Sequence, residues 1–300
     1  MLPTTFFIAF IFSLSFFLSD AFSQIDSLRE QIDHILHSAN GKTGVAIIGL
    51  EEGDSLSING KSRFPMQSVY KFPVAMAILQ AVDSGKLSLE QIIRVKKRDL
   101  REDTWSPLRD KYPKGDVDML LRDMLVYCVS YSDNNACDIL FRLLGGPAKV
   151  QKFVRIMGIN DISIVATEEA MHRSWKTQFR NWCTPLAMAE ILKVFYEKKY
   201  LSASRTDLLW KMMTESFNSA KRIKGMLPDG TAVAHKTGTS GTNDDGISAA
   251  TNDVGIVSLP NGKHFAIVVF LSMSSADDST REGVIAQIAK AAWDYYLIKK

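Results

Sequence analysis

The chain has 300 residues, of which 46% are hydrophobic and 23% are charged, and its formal net charge is +3. This is the composition of a globular protein, and it excludes a disordered, collagen-like or coiled-coil chain. The small and scattered positive charge gives no reason to expect a nucleic-acid partner.

The first 23 residues have the character of an export signal. Residues 2–18 contain no charged side chain, and the small residues Ala21 and Ser23 resemble those of a cleavage site. No basic residue precedes the apolar run, so an uncleaved anchor is the alternative. No later segment has the ~20 apolar residues that cross a bilayer. We therefore expect residues 1–23 to be removed, and the mature protein to be exported to the periplasm without stable membrane association.

Hydrophobic periodicity predicts a helix over 24–38 and strands over 43–50 and 55–59. A block of helices follows, with an irregular stretch at about 160–183 inside it. Strand patterns return near the end, where Asn261-Gly262 is typical of a hairpin turn. The helices of the block are predicted over 68–83, 117–128, 132–144, 147–157, 184–199 and 203–216. The late elements are predicted strands over 233–237, 253–259 and 264–273 and a final helix over 281–297.

This order predicts an α+β fold in two lobes. Residues 24–63 and 214–300 are expected to form an antiparallel sheet flanked by helices, because terminal segments rich in strands enclose a helical insertion. Residues 64–213, which include the irregular loop, are expected to form an all-helical lobe. A cleft between two such lobes is where a small-molecule site is expected.

The three cysteines, Cys128, Cys137 and Cys183, show no C-x-x-C spacing. An odd number cannot all pair within the chain, and a chain of this length can bury a core without disulfides. Buried free thiols are therefore expected. The five histidines include no H-E-x-x-H or other metal-binding pattern, so neither a metal nor another cofactor is predicted.

Ser68-Val69-Tyr70-Lys71 is an S-x-x-K motif that opens an apolar helix. Residues three apart share a helix face, so the lysine can reach the serine hydroxyl. A serine in the first turn also lies beside unpaired backbone N–H groups that can hold an oxyanion. On these residues alone, a serine that caps the helix beside a solvated lysine explains the pattern equally well.

Two further motifs follow in the chain. Ser132-Asp133-Asn134 lies in the helical block, where all three residue types also favour helix starts. Lys236-Thr237-Gly238 lies on a late strand. A second K-T-G at Lys42-Thr43-Gly44 precedes the S-x-x-K serine, and we interpret it as structural.

S-x-x-K, S-D-N and K-T-G in this order are the motifs of class A β-lactamases and penicillin-binding proteins. From about residue 25 to 298 the chain resembles a class A β-lactamase, and within that class the extended-spectrum branch of the PER and VEB enzymes. The closer resemblance rests on residues 166–172, on Asn181-Trp182 and on residues 233–241. It implies an enzyme that hydrolyses β-lactams through an acyl-enzyme on Ser68.

The resemblance also implies the roles of the other site residues. Lys71 assists proton removal from Ser68, and either Lys71 or Glu168 is the acylation base. Ser132, held by Lys236, passes a proton to the lactam nitrogen, and the N–H groups of Ser68 and Thr239 form the oxyanion hole. The substrate-binding residues are expected to be Trp105, Asn134, His172, Arg222, Thr237, Gly238, Thr239 and Ser240. Among these, Asn134 binds the acylamino side chain, and Trp105 forms a wall of the cleft unless it is a core residue. Thr237, Thr239 and Ser240 face the substrate carboxylate, and Arg222 is its cationic partner.

Glu168 separates the candidate functions, because only a β-lactamase must release the acylated serine quickly. In the family, a glutamate of the irregular loop activates water for this step. Glu168 matches its place, although Glu169 is adjacent and chemically equivalent. The alternatives are a penicillin-binding D-Ala-D-Ala peptidase and a non-hydrolytic β-lactam-binding domain. An ordinary Ser-His-Asp esterase is disfavoured because the chain lacks G-x-S-x-G.

The loop departs from the common class A pattern. Many members pair an arginine at its start with an aspartate at its end, and here those places hold Ala166 and Asn181. His172 stands where an asparagine usually helps to position the hydrolytic water. These changes favour a differently folded, roomier loop, and we expect the enzyme to accept bulky oxyimino-cephalosporins. The mature protein is expected to be a monomer.

Overall fold

The computed structural model describes residues 24–217 and 220–299. The predicted export signal at 1–23 lies outside these residues. The helices are α1 (24–36), α2 (Lys71–Asp83), α3 (Pro107–Lys111), α4 (Leu121–Val129), α5 (Asn134–Leu144), α6 (Pro147–Ile156), α7 (Glu168–His172), α8 (Pro185–Tyr196), α9 (Ala203–Thr214) and α10 (Asp278–Ile298). The strands are β1 (Lys42–Gly49), β2 (Ser55–Ile58), β3 (Phe64–Pro65), β4 (Ile92–Val95), β5 (Val117–Leu120), β6 (Ile162–Ser163), β7 (Trp182–Cys183), β8 (Val233–Thr239), β9 (Thr251–Ser258) and β10 (His264–Ser272).

The main sheet has five strands in the order β2-β1-β10-β9-β8, and each neighbouring pair is antiparallel. The predicted α+β fold is confirmed. The hairpin that joins β9 to β10 turns at Gly262, whose φ of 80° suits glycine. Strands from both ends of the chain therefore meet in one sheet, and the helical insertion lies between them in sequence.

Each face of the main sheet has its own hydrophobic core. One face packs against α1 and α10, through residues such as Leu28, Ile32, Val284, Ile288 and Trp293. The other face packs against the helical block, and that larger core is centred on α2, which is buried along most of its length. The main sheet therefore holds α2, and the turn that precedes it, in a fixed position.

The structure differs from the sequence prediction at the start of α4. Residues 117–120 form strand β5, which pairs with β4, and the helix begins only at Leu121. A three-stranded sheet of β3, β7 and β6 lies at the base of the irregular loop. The lobe predicted to be all-helical therefore also carries two small sheets. Their strands have two to four residues, which is too short for a reliable alternation of polar and apolar residues.

No helix among residues 24–217 and 220–299 is both long and apolar enough to cross a membrane. The three cysteines are free and buried, as predicted. The same residues contain no cluster of side chains that could hold a metal ion.

Candidate active site

A cleft of about 350 Å³ opens between the helical lobe and strand β8 of the main sheet. Its lining residues come from both sides: Ser68, Trp105, Ser132, Asn134, Thr237 and Thr239. The three motifs, distant in sequence, thus meet in one place. Trp105 is 55% exposed, so it walls the cleft and is not a core residue.

Ser68 lies in a short 3-10 turn, Gln67–Tyr70, that leads directly into α2. Gln67 has a positive φ of 48°, an unusual conformation for a residue with a side chain. The buried Asn252 of β9 supports the segment before the turn, because its Nδ2 donates to the carbonyls of Pro65 and Met66 at 2.8 and 3.1 Å. The serine is partly exposed at the cleft floor, whereas Lys71 is fully buried behind it.

The Lys71 ammonium connects the motifs of the helical lobe. Its Nζ donates to the Ser132 carbonyl at 2.7 Å and to Asn134 Oδ1 at 2.5 Å, and it lies 3.0 Å from Glu168 Oε1. Burial alone lowers the pKa of Lys71, but the adjacent Glu168 carboxylate outweighs it, so the pKa is raised overall. The neighbouring Glu168 carboxylate therefore favours the charged form of Lys71.

A second buried lysine comes from the sheet. Lys236 Nζ donates to Ser132 Oγ at 2.9 Å and to the carbonyl of Thr237 at 3.0 Å. Burial, and then repulsion from Lys71, lower its pKa to about 7. The Ser132 side chain is thus held by one lysine while its carbonyl is held by the other. Ser132 has a positive φ of 55°, which marks a constrained backbone at this junction.

Strand β8 lies unusually close to the 3-10 turn that carries Ser68. A Cβ atom on Gly238 would stand 2.4 Å from the carbonyl oxygen of Met66, so only glycine fits there. This explains why the third motif ends in glycine.

The structure places Arg222 behind β8 rather than in the cleft. It is only 5% exposed, and it donates to the carbonyls of Gly238 and Asn252 and to Thr239 Oγ1 at 2.8 Å. Its guanidinium therefore acts on the cleft through Thr239. The sequence motif could not reveal this, because the hydrogen bonds come from residues that are far apart in the chain.

Two side chains that support the cleft were not singled out from the sequence. Asp133 is fully buried, caps α5 through the N–H of Ala136, and also accepts hydrogen bonds from Ser106 Oγ and from the N–H of Leu108. It thereby fixes the segment that follows Trp105. Thr104 accepts a hydrogen bond from Asn134 Nδ2 at 2.7 Å, which orients the amide. Thr104 has no sequence signal, but Asp133 lies inside the S-D-N motif.

The two adjacent glutamates of the loop face different surroundings. Helix α7 begins at Glu168 because Thr167 caps it and because Asp138 accepts the N–H groups of both Glu168 and Glu169. Glu168 is 7% exposed and faces Lys71. The Glu169 side chain is 48% exposed and pairs with Arg101 and Arg173. Of the two glutamates, only Glu168 therefore points toward the buried Lys71 and its partners Ser132 and Asn134.

Asn181 closes the neck of the loop in place of the ion pair that the sequence lacks. Its Oδ1 accepts the N–H groups of Val165 and Ala166, both at 2.9 Å, and its Nδ2 donates to the Ala166 carbonyl at 2.8 Å. Its own carbonyl accepts the N–H of Met66. Through its side-chain amide, the fully buried Asn181 thus ties both ends of the loop to each other, and through its backbone carbonyl it ties them to the segment before Ser68.

We expect Asn181→Ala to destabilise the fold by about 2–4 kcal/mol, because three hydrogen bonds are lost and buried backbone groups are left unpaired. Thermal unfolding measures the loss, and slower turnover would accompany it, since Glu168 depends on the loop. The matched control is Asn160→Ala, because Asn160 is exposed and its side chain makes only a 3.5 Å contact with the Gly158 carbonyl. Equal melting temperatures for the two variants would contradict this role of Asn181.

A second hollow of about 310 Å³ adjoins the cleft between the loop and the end of β8. It shares Ser68, Asn134 and Thr239 with the cleft, and Glu168 lines it as well. The loop side contributes Gln67, Met171, His172, Ser174, Trp175 and Gln178, and the strand side contributes Ser240, Gly241 and Thr242. The buried Gln67 and Gln178 are joined by a 2.6 Å hydrogen bond, which fixes its inner wall. His172 and Ser240 therefore lie on opposite sides of this space.

The fold and the site together are those of a serine hydrolase that binds β-lactams. A match to a protein-family model identifies the family. The model of the beta-lactamase enzyme family matches residues 27–296, so the chain belongs to that family. Solved structures agree. A β-lactamase from Chitinophaga pinensis superposes with a TM-score of 0.89 at 49% identity, covering 90% of this chain and 99% of that one.

Individual relatives narrow the comparison, and two of them are named as extended-spectrum enzymes. The chain is 46% identical to the β-lactamase VEB-1 of Pseudomonas aeruginosa, over 96% of this chain and 97% of the relative. It is 42% identical to the extended-spectrum β-lactamase PER-1 of the same organism, over 95% and 92% of the two chains. The solved extended-spectrum β-lactamase TLA-1 superposes with a TM-score of 0.89 at 50% identity, covering 91% of this chain and 99% of that one. The protein is a class A β-lactamase, and the predicted resemblance is confirmed.

Proposed function

We propose that Ser68 and Glu168 carry out the two halves of β-lactam hydrolysis, acylation and release. The observation that carries this proposal is the Lys71 ammonium, which joins Glu168, Asn134 and Ser132 in one buried network behind Ser68. Hydrolysis of the chromogenic cephalosporin nitrocefin by the purified protein tests it.

In acylation, Ser68 Oγ attacks the lactam carbonyl while the N–H groups of Ser68 and Thr239 hold the oxyanion. The Ser68 proton must leave. Because the charged form of Lys71 cannot accept a proton, Lys71 can act as the base only after it has lost one, and Glu168, 3.0 Å away, can take that proton. Alternatively, Glu168 takes the proton through water.

The lactam C–N bond then breaks, and its nitrogen needs a proton. Ser132 is the donor, because its hydroxyl lies in the cleft and is held by Lys236 at 2.9 Å. Ser132 takes a proton in turn from the buried network that received the Ser68 proton, so that one proton passes in net from Ser68 to the lactam nitrogen. Because the pKa of Lys236 is lowered to about 7, its protonation responds to nearby charge. The carboxylate of a bound substrate favours the charged form of Lys236. Lys236 therefore both orients Ser132 and adds positive charge beneath the substrate.

In release, water attacks the ester carbonyl, Glu168 takes the water proton, and Ser68 regains its own proton as the product acid departs. The buried position of Glu168 beside Lys71 supports this role, whereas Glu169 faces solvent. A base in this place separates the enzyme from a penicillin-binding peptidase or a non-hydrolytic binding domain, which would remain acylated.

The substrate-binding roles follow from the cleft. Asn134 binds the acylamino group, and the hydroxyl groups of Thr237, Thr239 and Ser240 face the substrate carboxylate. Arg222, which is itself paired with Glu282, orients Thr239 from behind the strand. The hollow between His172 and Ser240 lies next to Asn134, so it can receive a bulky acylamino substituent. We include penicillins and cephalosporins, with oxyimino-cephalosporins among them, as substrates.

We expect the purified enzyme to hydrolyse cefotaxime and ceftazidime at rates comparable to benzylpenicillin, because the second hollow accommodates the oxyimino group. Steady-state kcat/KM for the three compounds measures this. Good penicillin turnover with negligible turnover of both cephalosporins would contradict the proposed specificity and leave the hydrolytic mechanism standing.

The mature protein is proposed to act as a monomer in the periplasm after export. The uncharged, apolar character of residues 2–18 supports this localisation. Mass measurement of the protein recovered from a periplasmic fraction tests it, because removal of residues 1–23 would leave a new N-terminus at Gln24.

A further inference from the structure

Three aromatic residues adjoin the segment that leads into Ser132: Trp105, which lines the cleft, and Tyr131 and Phe217, whose rings stack on each other. We call them the aromatic rim. Phe217 is 66% exposed and Trp105 is 55% exposed, both high fractions for large apolar side chains. The Tyr131 and Phe217 rings are stacked, with centroids 4.5 Å apart and planes at 15°. Scattered exposed aromatics are ordinary, but adjacent ones at a binding cleft indicate a contact surface.

The rim is held in place by backbone contacts on both sides. Trp105 Nε1 donates to the Tyr131 carbonyl at 3.0 Å. The N–H of Phe217 donates to the Ser130 carbonyl at 3.2 Å. Trp105 and Phe217 thus both bond to the short segment that leads into Ser132. Rings that are fixed before binding lose little conformational entropy when a ligand packs on them.

The position of the aromatic rim indicates which part of a bound substrate would reach it. This assignment rests on the proposed function, because it uses the substrate orientation described there. With the lactam carbonyl at Ser68 and the acylamino group at Asn134, the lactam nitrogen faces Ser132. The ring fused to that nitrogen extends beyond Ser132, toward the segment that carries Tyr131. In a cephalosporin, the substituent at C3 of this ring is therefore the group that reaches the aromatic rim.

We propose that the aromatic rim is a specificity determinant for flat aromatic substituents at C3 of cephalosporins, with a pyridinium group as the strongest case. The open face of Phe217 can stack with such a ring, and a cation above an aromatic face gains further electrostatic attraction. An aliphatic ester at C3 cannot make either interaction. The contact lies away from the reacting atoms, so it strengthens binding and acts on KM more than on kcat.

Cephaloridine and cephalothin provide a matched test. Both carry a thienylacetamido side chain at C7, and they differ at C3, where cephaloridine has a pyridiniomethyl group and cephalothin has an acetoxymethyl group. We expect Phe217→Leu to lower the kcat/KM of cephaloridine relative to that of cephalothin by about 2- to 5-fold, the value of an exposed cation–π contact. The change should lie mainly in KM for cephaloridine.

Two further variants complete the experiment. Phe217→Ala should give the same direction of change. Ile156→Ala removes a side chain of similar exposure, 63%, from α6, which does not line the cleft, and should leave the ratio unaltered. Thermal unfolding checks that each variant is folded, which the exposure of both sites favours. An unchanged ratio in both Phe217 variants would overturn the role of the rim, whereas failure of the unaltered enzyme to hydrolyse either compound would overturn the proposed function beneath it.

Discussion

Replacing Ser68 with alanine should reduce nitrocefin hydrolysis by about 10⁴-fold or more, the range seen when a hydrolase loses its nucleophile. The cleft would keep its shape, since Ser68 is only partly buried and alanine suits a helical turn. Binding of the substrate should therefore survive while acylation is lost. Stopped-flow absorbance measures turnover, and mass spectrometry of the intact protein measures the adduct.

The control for this substitution is Ser84→Ala. Ser84 lies at the other end of α2, where its hydroxyl donates to the Ala81 carbonyl at 3.1 Å. It carries the same chemical change on the same helix, and the unaltered rate is expected. A covalent adduct on the Ser68→Ala protein after exposure to a β-lactam would show that another residue is acylated, which would contradict the assignment of Ser68.

Glu168→Gln should convert the enzyme into one that is acylated and stalls. Glutamine has the size of glutamate but cannot take a proton from water, so release should slow by about 10²- to 10⁴-fold. The same change removes the carboxylate that raises the pKa of Lys71. Lys71 then becomes neutral more easily, and the acylation route through Lys71 is favoured while the release step is lost.

Mass spectrometry after mixing with benzylpenicillin should show the protein heavier by the full mass of the drug, because ring opening expels no leaving group. Glu169→Gln is the matched control. It is the same substitution one residue later, at a carboxylate that faces Arg101 and Arg173 rather than Lys71, and it should turn over normally. If instead Glu169→Gln accumulated the adduct and Glu168→Gln did not, the loop register assigned to the base would be wrong.

Much of the fold could be predicted from sequence because its long elements have clear patterns. The strands of the main sheet and helices such as α5 and α10 carry regular apolar spacing, and caps such as Asp133 and Asp277 begin the latter two. The small sheets could not be predicted, because pairing between β4 and β5 is set by tertiary contacts over only four residues on each strand. The local sequence pattern carries no information about which strands will pair with each other.

The candidate site shows the same division. Each motif is ambiguous alone, but the order of the three indicates the family, and the resemblance implies that Ser68, Ser132 and Lys236 share one cleft. The resemblance assigns the base to Glu168 by register alone, and the structure adds that Glu168, unlike Glu169, faces Lys71, which depends on the side of α7 that turns inward. The place of Arg222 behind β8 likewise depends on carbonyl groups of two adjacent strands, which no spacing in the sequence encodes.

The amide of Asn181 has a consequence for the conditions under which the enzyme works. An ion pair at the base of a loop is weakened by dissolved salt and is lost when its acid is protonated. The hydrogen bonds of Asn181 are made by a neutral side chain to neutral backbone groups, and they are fully buried. The part of the loop closure that Asn181 supplies is therefore insensitive to ionic strength and acidity. The contacts of the loop that do depend on pH are elsewhere, at the ion pairs of Glu169, at the catalytic groups and at Asp138, whose pKa burial raises to about 6.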